Sequence, residues 1–252
     1  MKAFARIAAE SDGRGGTRLA ELRGESPLLV RRTGPGRVHL VGGAAGPLRG
    51  DDLRLEIAVG SGATLEIRSV AAQLALPGRS HLPTSRYEVQ ARVAEGGELR
   101  WLPEPLIAAA GCDHVTVTRV EVADGGRLLW RDDLVCGRHG EDPGDVRTET
   151  TVRYAGRTLY RHDLSVGPSA PGWSGAAVLG GGRAIGTVVT TTVADPALLG
   201  GEAVLMPLAG PGMLATAVGR DIRQVRAALD PLCAALDPLY AARSAGAALA
   251  VG

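Results

Sequence analysis

Leu53-Arg54-Leu55-Glu56-Ile57-Ala58-Val59-Gly60-Ser61-Gly62-Ala63-Thr64-Leu65-Glu66-Ile67 is the stretch whose reading decides the fold. Large aliphatic residues alternate with Arg54, Glu56 and Ala58 up to Val59, and the alternation resumes at Leu65 beyond Gly62. A strand shows successive side chains to opposite faces, so Leu53, Leu55, Ile57 and Val59 share a face that Arg54 and Glu56 avoid. The pattern predicts two half-buried strands joined at a glycine, the residue that reaches positive φ without steric cost.

The same unit recurs. V-x-x-G-x-x-L is read at Val59, Gly62 and Leu65, then at Val93, Gly96 and Leu99, then at Val122, Gly125 and Leu128, and a fourth copy keeps Gly156 and Leu159. The glycines lie 34, 29 and 31 residues apart. Units that cannot bury a face alone must stack, so the repeat predicts a mainly β fold: consecutive antiparallel hairpins wound into a β-helix-like, stacked-sheet body.

Outward from the repeats, residues 3–8, 17–22 and 37–41 form further candidate strands. The stretch from Gly42 to Asp52 carries four glycines. A phosphate cradle needs such glycines to open a helix, and these open a strand, which argues against a nucleotide loop. Residues 167–175 read as a Pro/Gly/Ser loop, with a degenerate fifth turn at Leu179, Gly182 and Ile185 and a β-branched strand over 187–193. Helical spacing begins at Ile222, Val225 and Leu229. Asp230-Pro231 is expected to end that helix and open a second, with Leu232, Cys233, Leu236 and Leu239 as its apolar stripe. The expected organisation is one domain over residues 1–252: a β body over 1–210, a helical segment over 211–245 and a frayed tail over 246–252.

A chain of 252 residues buries roughly 70–75% of the surface its unfolded form exposes, enough for a core without staples. With one Phe, three Trp and four Tyr, that core is built of Leu, Val, Ile and Ala. The formal charge is +1, with Lys2 the only lysine. Such a balance lacks the basic excess of a nucleic-acid binder. No run approaches the ~20 apolar residues of a membrane-spanning helix, and the apolar stretch before Glu10 is too short for a signal peptide. Cys112, Cys136 and Cys233 are irregularly spaced and form no disulfide framework, so the chain reads as reduced and cytoplasmic.

Four sets of residues carry candidate chemistry. Gly172-Trp173-Ser174-Gly175-Ala176 resembles a serine nucleophile loop, but a hydrolase elbow wants glycine at Ala176 and no histidine stands at a diagnostic spacing. Ser174 as the nucleophile of a serine hydrolase is the alternative function; an ordinary turn serine is the bland reading. Cys112 and His114 project from one face if they lie in a strand, and thiolate with imidazole suits nickel or zinc, although two ligands make no site. Acidic residues gather at Asp51-Asp52, Asp132-Asp133 and Glu141-Asp142. Neighbouring strand residues face opposite ways, so at most one of each strand pair points inward. Ile222, Val225, Leu229, Leu232 and Leu236 form an apolar helix face that either docks a partner or caps the sheet.

Over residues 17–164 the chain resembles the urease accessory protein UreD family, also called UreH. The resemblance is carried by the Gly-Gly to Gly-Asp segment and Leu-x-Leu-x-Ile-x-Val from Gly42 to Val59, and by Gly62-Ala63-x-Leu65. Leu-x-Trp-Leu-Pro-Glu-Pro from Leu99 to Pro105 adds to it, as do Gly-Gly-Arg-Leu-Leu from Gly125 and Cys-Gly-Arg-x-Gly-Glu from Cys136 to Glu141. The chain departs from the family at Ser69-Val70-Ala71-Ala72-Gln73-Leu74, at Pro103-Glu104-Pro105 and in a shorter loop after Gly137. The resemblance implies a non-enzymatic chaperone that binds the urease apoprotein and a helical partner, UreF. UreF in turn recruits the GTPase UreG carrying nickel, in a dimer of such heterocomplexes. It also implies a β fold of unusual winding with an internal route for nickel, a transferred ion and not a tightly bound cofactor. On that reading Asp51 and Asp52 stand at the family's Gly-Asp step and Asp132 stands five residues before Gly137, where members place an acid. With Glu141, these are the candidate stations of a nickel route, since weak carboxylate sites pass an ion that a Cys/His cage would trap.

Overall fold

The computed structural model describes residues 1–195, 197–200 and 202–236. In chain order the strands are β1 (Lys2–Ser11), β2 (Thr17–Gly24), β3 (Leu28–Gly34), β4 (Arg37–Gly42), β5 (Asp52–Val59), β6 (Thr64–Ser69), β7 (Gln73–Ala75), β8 (Ser85–Val93) and β9 (Glu98–Leu102). They continue with β10 (Leu106–Ala108), β11 (Asp113–Val122), β12 (Arg127–Cys136), β13 (Asp145–Tyr154), β14 (Arg157–Val166), β15 (Ala184–Thr190), β16 (Ala197–Leu198), β17 (Glu202–Pro207) and β18 (Met213–Gly219). One helix, α1 (Ile222–Ala235), closes the described chain.

The strands form two sheets. The first runs β14-β13-β11-β8-β5-β1-β2, and the second β16-β17-β18-β15-β12-β9-β6-β4-β3, with β7 and β10 attached beside β12. Each of the first three repeated glycines carries the chain from one sheet to the other: β5, β8 and β11 lie in the first, while β6, β9 and β12 lie in the second. The body is therefore mainly β and built of stacked, solenoid-like coils, as the repeat implies. Its internal pairing differs from the hairpins expected, because β5, β8, β11 and β13 pair in parallel and so do β6, β9 and β12. Of the four repeated glycine turns only the last makes a hairpin, between β13 and β14. A two-residue period tells which side chains face inward and is silent on whether the next strand lies beside its predecessor or across from it.

Parallel stacking puts equivalent motif positions on top of one another. Val59 pairs with Val93 and Val93 with Val122; Leu65 pairs with Leu99 and Leu99 with Leu128. The turn glycines Gly62, Gly96 and Gly125 repeat one left-handed conformation, at φ +69°, +67° and +71°. The inward residues, including Ile7, Leu53, Leu55, Leu65, Ile67 and Leu99, are at most 2% exposed and fill the space between the sheets. Each such side chain contributes about 1.5–3 kcal/mol by leaving water.

A second core lies under α1, on the outer face of the second sheet, where Val225, Leu229 and Cys233 meet Val188, Met213, Ala215 and Ala217. Asp221 caps the helix by accepting the N–H groups of Arg223 at 2.9 Å and Gln224 at 3.1 Å. Two expectations change here. Residues 213–219 are strand β18 and not helix, since Met213, Ala215, Ala217 and Gly219 are buried at a period of two. And α1 passes through Pro231 unbroken, because Val225, Leu229 and Cys233 lie four residues apart on one stripe that the sheet holds from both sides of the proline. Leu239 and residues 237–252 lie outside the described residues. Strand β3, between the strands expected at 17–22 and 37–41, has Arg31, Arg32 and Thr33 exposed and reads from the sequence as a loop.

Candidate functional site

In-register pairing also builds a polar patch inside the body. On the inner face of the first sheet, Tyr87, Thr116, Thr148 and Leu164 form one row across β8, β11, β13 and β14, and Val89, Thr118, Thr150 and His162 form the next. Facing them from the second sheet are Asp132 and Thr187, a directly paired couple on β12 and β15. These residues line a cavity of about 400 Å³ whose remaining walls are largely apolar, among them Leu53, Trp101, Leu134 and Ile185. At one end the lining passes to the loops at Val41–Gly46, Ser69–Leu74 and Pro103–Glu104, where Ala44, Ala45, Val70, Ala71 and Ala72 are exposed.

Asp132 is the one carboxylate of this inner patch. Its Oδ2 accepts the indole N–H of Trp130 at 2.8 Å and the Thr150 hydroxyl at 3.4 Å. Asp132 is half-buried and lines the cavity. Burial accordingly pushes its carboxyl up to about 6, against the opposing pull of the Trp130 and Trp101 indoles, with the charge of Asp133 adding to the rise. Trp101 and Trp130 occupy equivalent positions of successive coils and stack face to face, with ring centroids 4.8 Å apart and 11° between planes. The buried Trp101 Nε1–H lies near enough to favour the carboxylate but makes no hydrogen bond of ordinary geometry.

Asp133 points the other way, as the period of two requires. Arg131 binds it through Nε at 3.1 and 3.0 Å and reaches Asp230 of α1 at 2.6 Å, so this acid serves to hold the helix. Arg226 of α1 also pairs with Glu104, tying the helix to the cavity's loop wall.

The other acids expected along a route stand apart from the cavity patch. Asp51 is buried, ion-paired to the Met1 amino group and bonded to the Leu48 N–H at 2.9 Å, while Asp52 is exposed at the start of β5. Glu141 is held by Arg138 at 2.8 and 2.9 Å, and that guanidinium keeps its carboxyl down at about 2. Cys112 and His114 are not poised for a metal. The Cys112 thiol donates to the Asp145 carbonyl at 3.8 Å, and both His114 nitrogens are engaged, Nδ1 with Ser85 at 2.9 Å and Nε2 with Thr116 at 3.0 Å. Burial raises the thiol to about 11 and lowers the imidazole to about 4, so both are neutral near pH 7. Among the described residues no three His, Cys, Asp or Glu side chains converge to hold a metal ion. Ser174 lies exposed in the turn-rich loop, and no histidine of the described residues bonds to it. Of the apolar helix residues, Val225 and Leu229 are fully buried against the sheet, which leaves Ile222, Leu232 and Leu236 half-buried at its rim.

The threonine rows, His162 and the paired indoles escape a reading that follows acids, thiols and glycines. Their trace in the sequence is the alternation Val115-Thr116-Val117-Thr118, which sets hydroxyls on the face where β5 sets Leu53 and Leu55.

A sequence model of the family described as UreD urease accessory protein matches residues 1–248. The chain is 46% identical over 241 residues to the urease accessory protein UreD of Streptomyces avermitilis, covering 91% of this chain and 95% of that protein. It is 46% identical to urease accessory protein UreD 3 of Streptomyces griseus, with 91% and 95% covered, and 42% identical to the UreD of a Parafrankia species, with 92% and 88% covered. These relatives are named for an accessory role and not a catalytic one. With a family match over nearly its whole length and relatives this similar at full span, the chain belongs to the UreD urease accessory protein family.

Proposed function

We propose that this protein supports urease maturation as a scaffold that binds the urease apoprotein and, together with UreF and UreG, carries nickel toward the urease active site through the space between its sheets. The observation that carries this reading is the state of the cavity's carboxylates: Asp133 is held by Arg131 and Glu104 by Arg226, which leaves Asp132, among hydroxyls, as the lining acid with no cationic partner among the described residues. One carboxylate not neutralised by a cation of the protein attracts a divalent cation without caging it, as a carrier requires. Asp51, Asp52 and Glu141 stand outside that chamber patch, so in this proposal Asp132 is the station and the other acids at most guide approach. The half-buried rim of α1, at Ile222, Leu232 and Leu236, remains the partner-docking surface proposed for the helix.

Co-expression of the urease subunits and the other accessory proteins, with and without this chain, tests the proposal by the nickel content of purified urease. Omission of the chain is expected to leave urease nickel-poor; equal nickel in both preparations would reject the assembly role.

A further inference from the structure

We infer that the cation crosses this cavity with its own water shell in place, held by outer-sphere hydrogen bonds and not by direct ligation to the protein. The inference rests on the nickel-route reading and specifies how that cargo is recognised.

The donor set supports it. Among the polar side chains of the inner patch, Asp132 alone is anionic, and one of its oxygens is already occupied by the Trp130 indole at 2.8 Å and Thr150 at 3.4 Å. His162 is the one imidazole among the cavity-lining residues, the lining acids Asp133 and Glu104 are taken up by Arg131 and Arg226, and the facing threonines of β11, β13 and β15 with Tyr87 offer neutral hydroxyls. Stripping a divalent ion of water in such surroundings leaves it without the several strong ligands that would offset the loss, a penalty of many kcal/mol. Hydroxyls are poor ligands for such an ion, yet each both donates to and accepts from water. Register places the four threonines of β11 and β13 as two directly paired couples, Thr116 with Thr148 and Thr118 with Thr150, which spreads hydrogen-bonding groups over an area larger than a bare ion. Room is sufficient as well: roughly six waters at about 30 Å³ each fill less than half of the chamber's volume of about 400 Å³.

Hexaamminecobalt(III) separates the two modes, because its ammines do not exchange and it can bind only through outer-sphere N–H donation. The full-length protein is titrated with Ni²⁺ by calorimetry, alone and in the presence of hexaamminecobalt(III), and the same is done with Asp132→Asn and with Thr118→Val/Thr150→Val. Outer-sphere recognition is expected to let the inert complex weaken the apparent Ni²⁺ affinity by about tenfold or more. Asp132→Asn then abolishes binding of both ions, and the threonine variant weakens both alike. Ni²⁺ binding that depends on Asp132 but is untouched by the inert complex would overturn the inference while leaving the nickel route standing. Binding of neither ion by the wild-type protein would overturn both. X-ray absorption of the Ni²⁺ complex gives a second readout: a shell of water oxygens alone is expected, and imidazole scattering would contradict it.

Discussion

Asp132 is half-buried and His114 is buried, and loss of water acts on the two ionisable groups with opposite sign. The Asp132 carboxyl titrates near 6 in the folded protein, against an ordinary 3.8. The folded state therefore keeps that proton to higher pH than the unfolded state, and the stability this contributes is complete below about pH 4 and lost as pH rises through 6. Asp132→Asn does not titrate, so it should gain about 3 kcal/mol on the wild type between pH 4 and pH 7, each tenfold difference in proton affinity between the folded and unfolded states being worth about 1.36 kcal/mol. His114 titrates near 4 when folded, against an ordinary 6.5, because burial disfavours its cation. Its contribution is present above about pH 6.5 and lost as pH falls through 4, so His114→Asn should gain about 3 kcal/mol on the wild type over the same interval traversed downward. The two slopes oppose one another, so the two single variants should tilt the wild-type pH profile in opposite directions. Urea unfolding at pH 4, 5.5 and 7 (roughly the window these two titrations define) reads this out. Parallel profiles for all three proteins would contradict the burial assigned to both side chains. That Asp132 and Asp133 face opposite ways follows from strand alternation, so half of this chemistry was legible in the sequence. Which of the two faces inward was not, because the choice depends on α1, whose Asp230 recruits Arg131 and with it Asp133.

At the scale of elements, the decisive contact is between α1 and β15. A Cβ built on Gly186 would lie 2.5 Å from the Val225 side chain, 2.5 Å from that of Asp133 and 2.8 Å from that of Leu229. The bare backbone of Gly186 is what lets the helix settle on the sheet. Gly186→Ala should cost about 1–3 kcal/mol, as overpacking does in a filled core. Lifting the helix also uncovers Cys233, now 8% exposed, so its reaction with a thiol reagent should accelerate in the variant while Cys112 and Cys136 stay protected. Unchanged melting temperature and unchanged labelling would show that α1 does not rest on this strand. The sequence announced the helix through Ile222, Val225 and Leu229, yet Asp230-Pro231 pointed to a break. Local proline chemistry loses here to a stripe of buried residues running past it. The strand at 213–219 was hidden for a related reason: Met213, Ala215 and Ala217 are small or flexible residues whose alternation with Leu214, Thr216 and Val218 carries little contrast in hydrophobicity.

For the whole molecule, the repeat V-x-x-G-x-x-L determined how many coils there are and which faces meet, and its identical spacing already contained the stacking register. What it could not convey by alternation alone is that each of its three glycine turns crosses from one sheet to the other, so that the interior becomes a chamber between two parallel stacks. The chamber's polar lining was equally hard to see, because threonine suits a strand on either face and its meaning appears only when β11, β13, β12 and β15 are brought together. The molecule that results is a β body with its chemistry inside and with a helix clamped to its back.

If the chamber itself carries the cargo, filling it must stop delivery. The most direct test is the nickel content of urease co-expressed with Thr118→Leu/Thr150→Leu, which replaces hydroxyls by aliphatic bulk at the chamber's centre and leaves the outer surface unaltered. The variant is expected to assemble with urease and its accessory partners as the wild type does while urease nickel falls to the level seen without this chain; a soluble, assembled variant that yields fully nickel-loaded urease would contradict passage through the chamber.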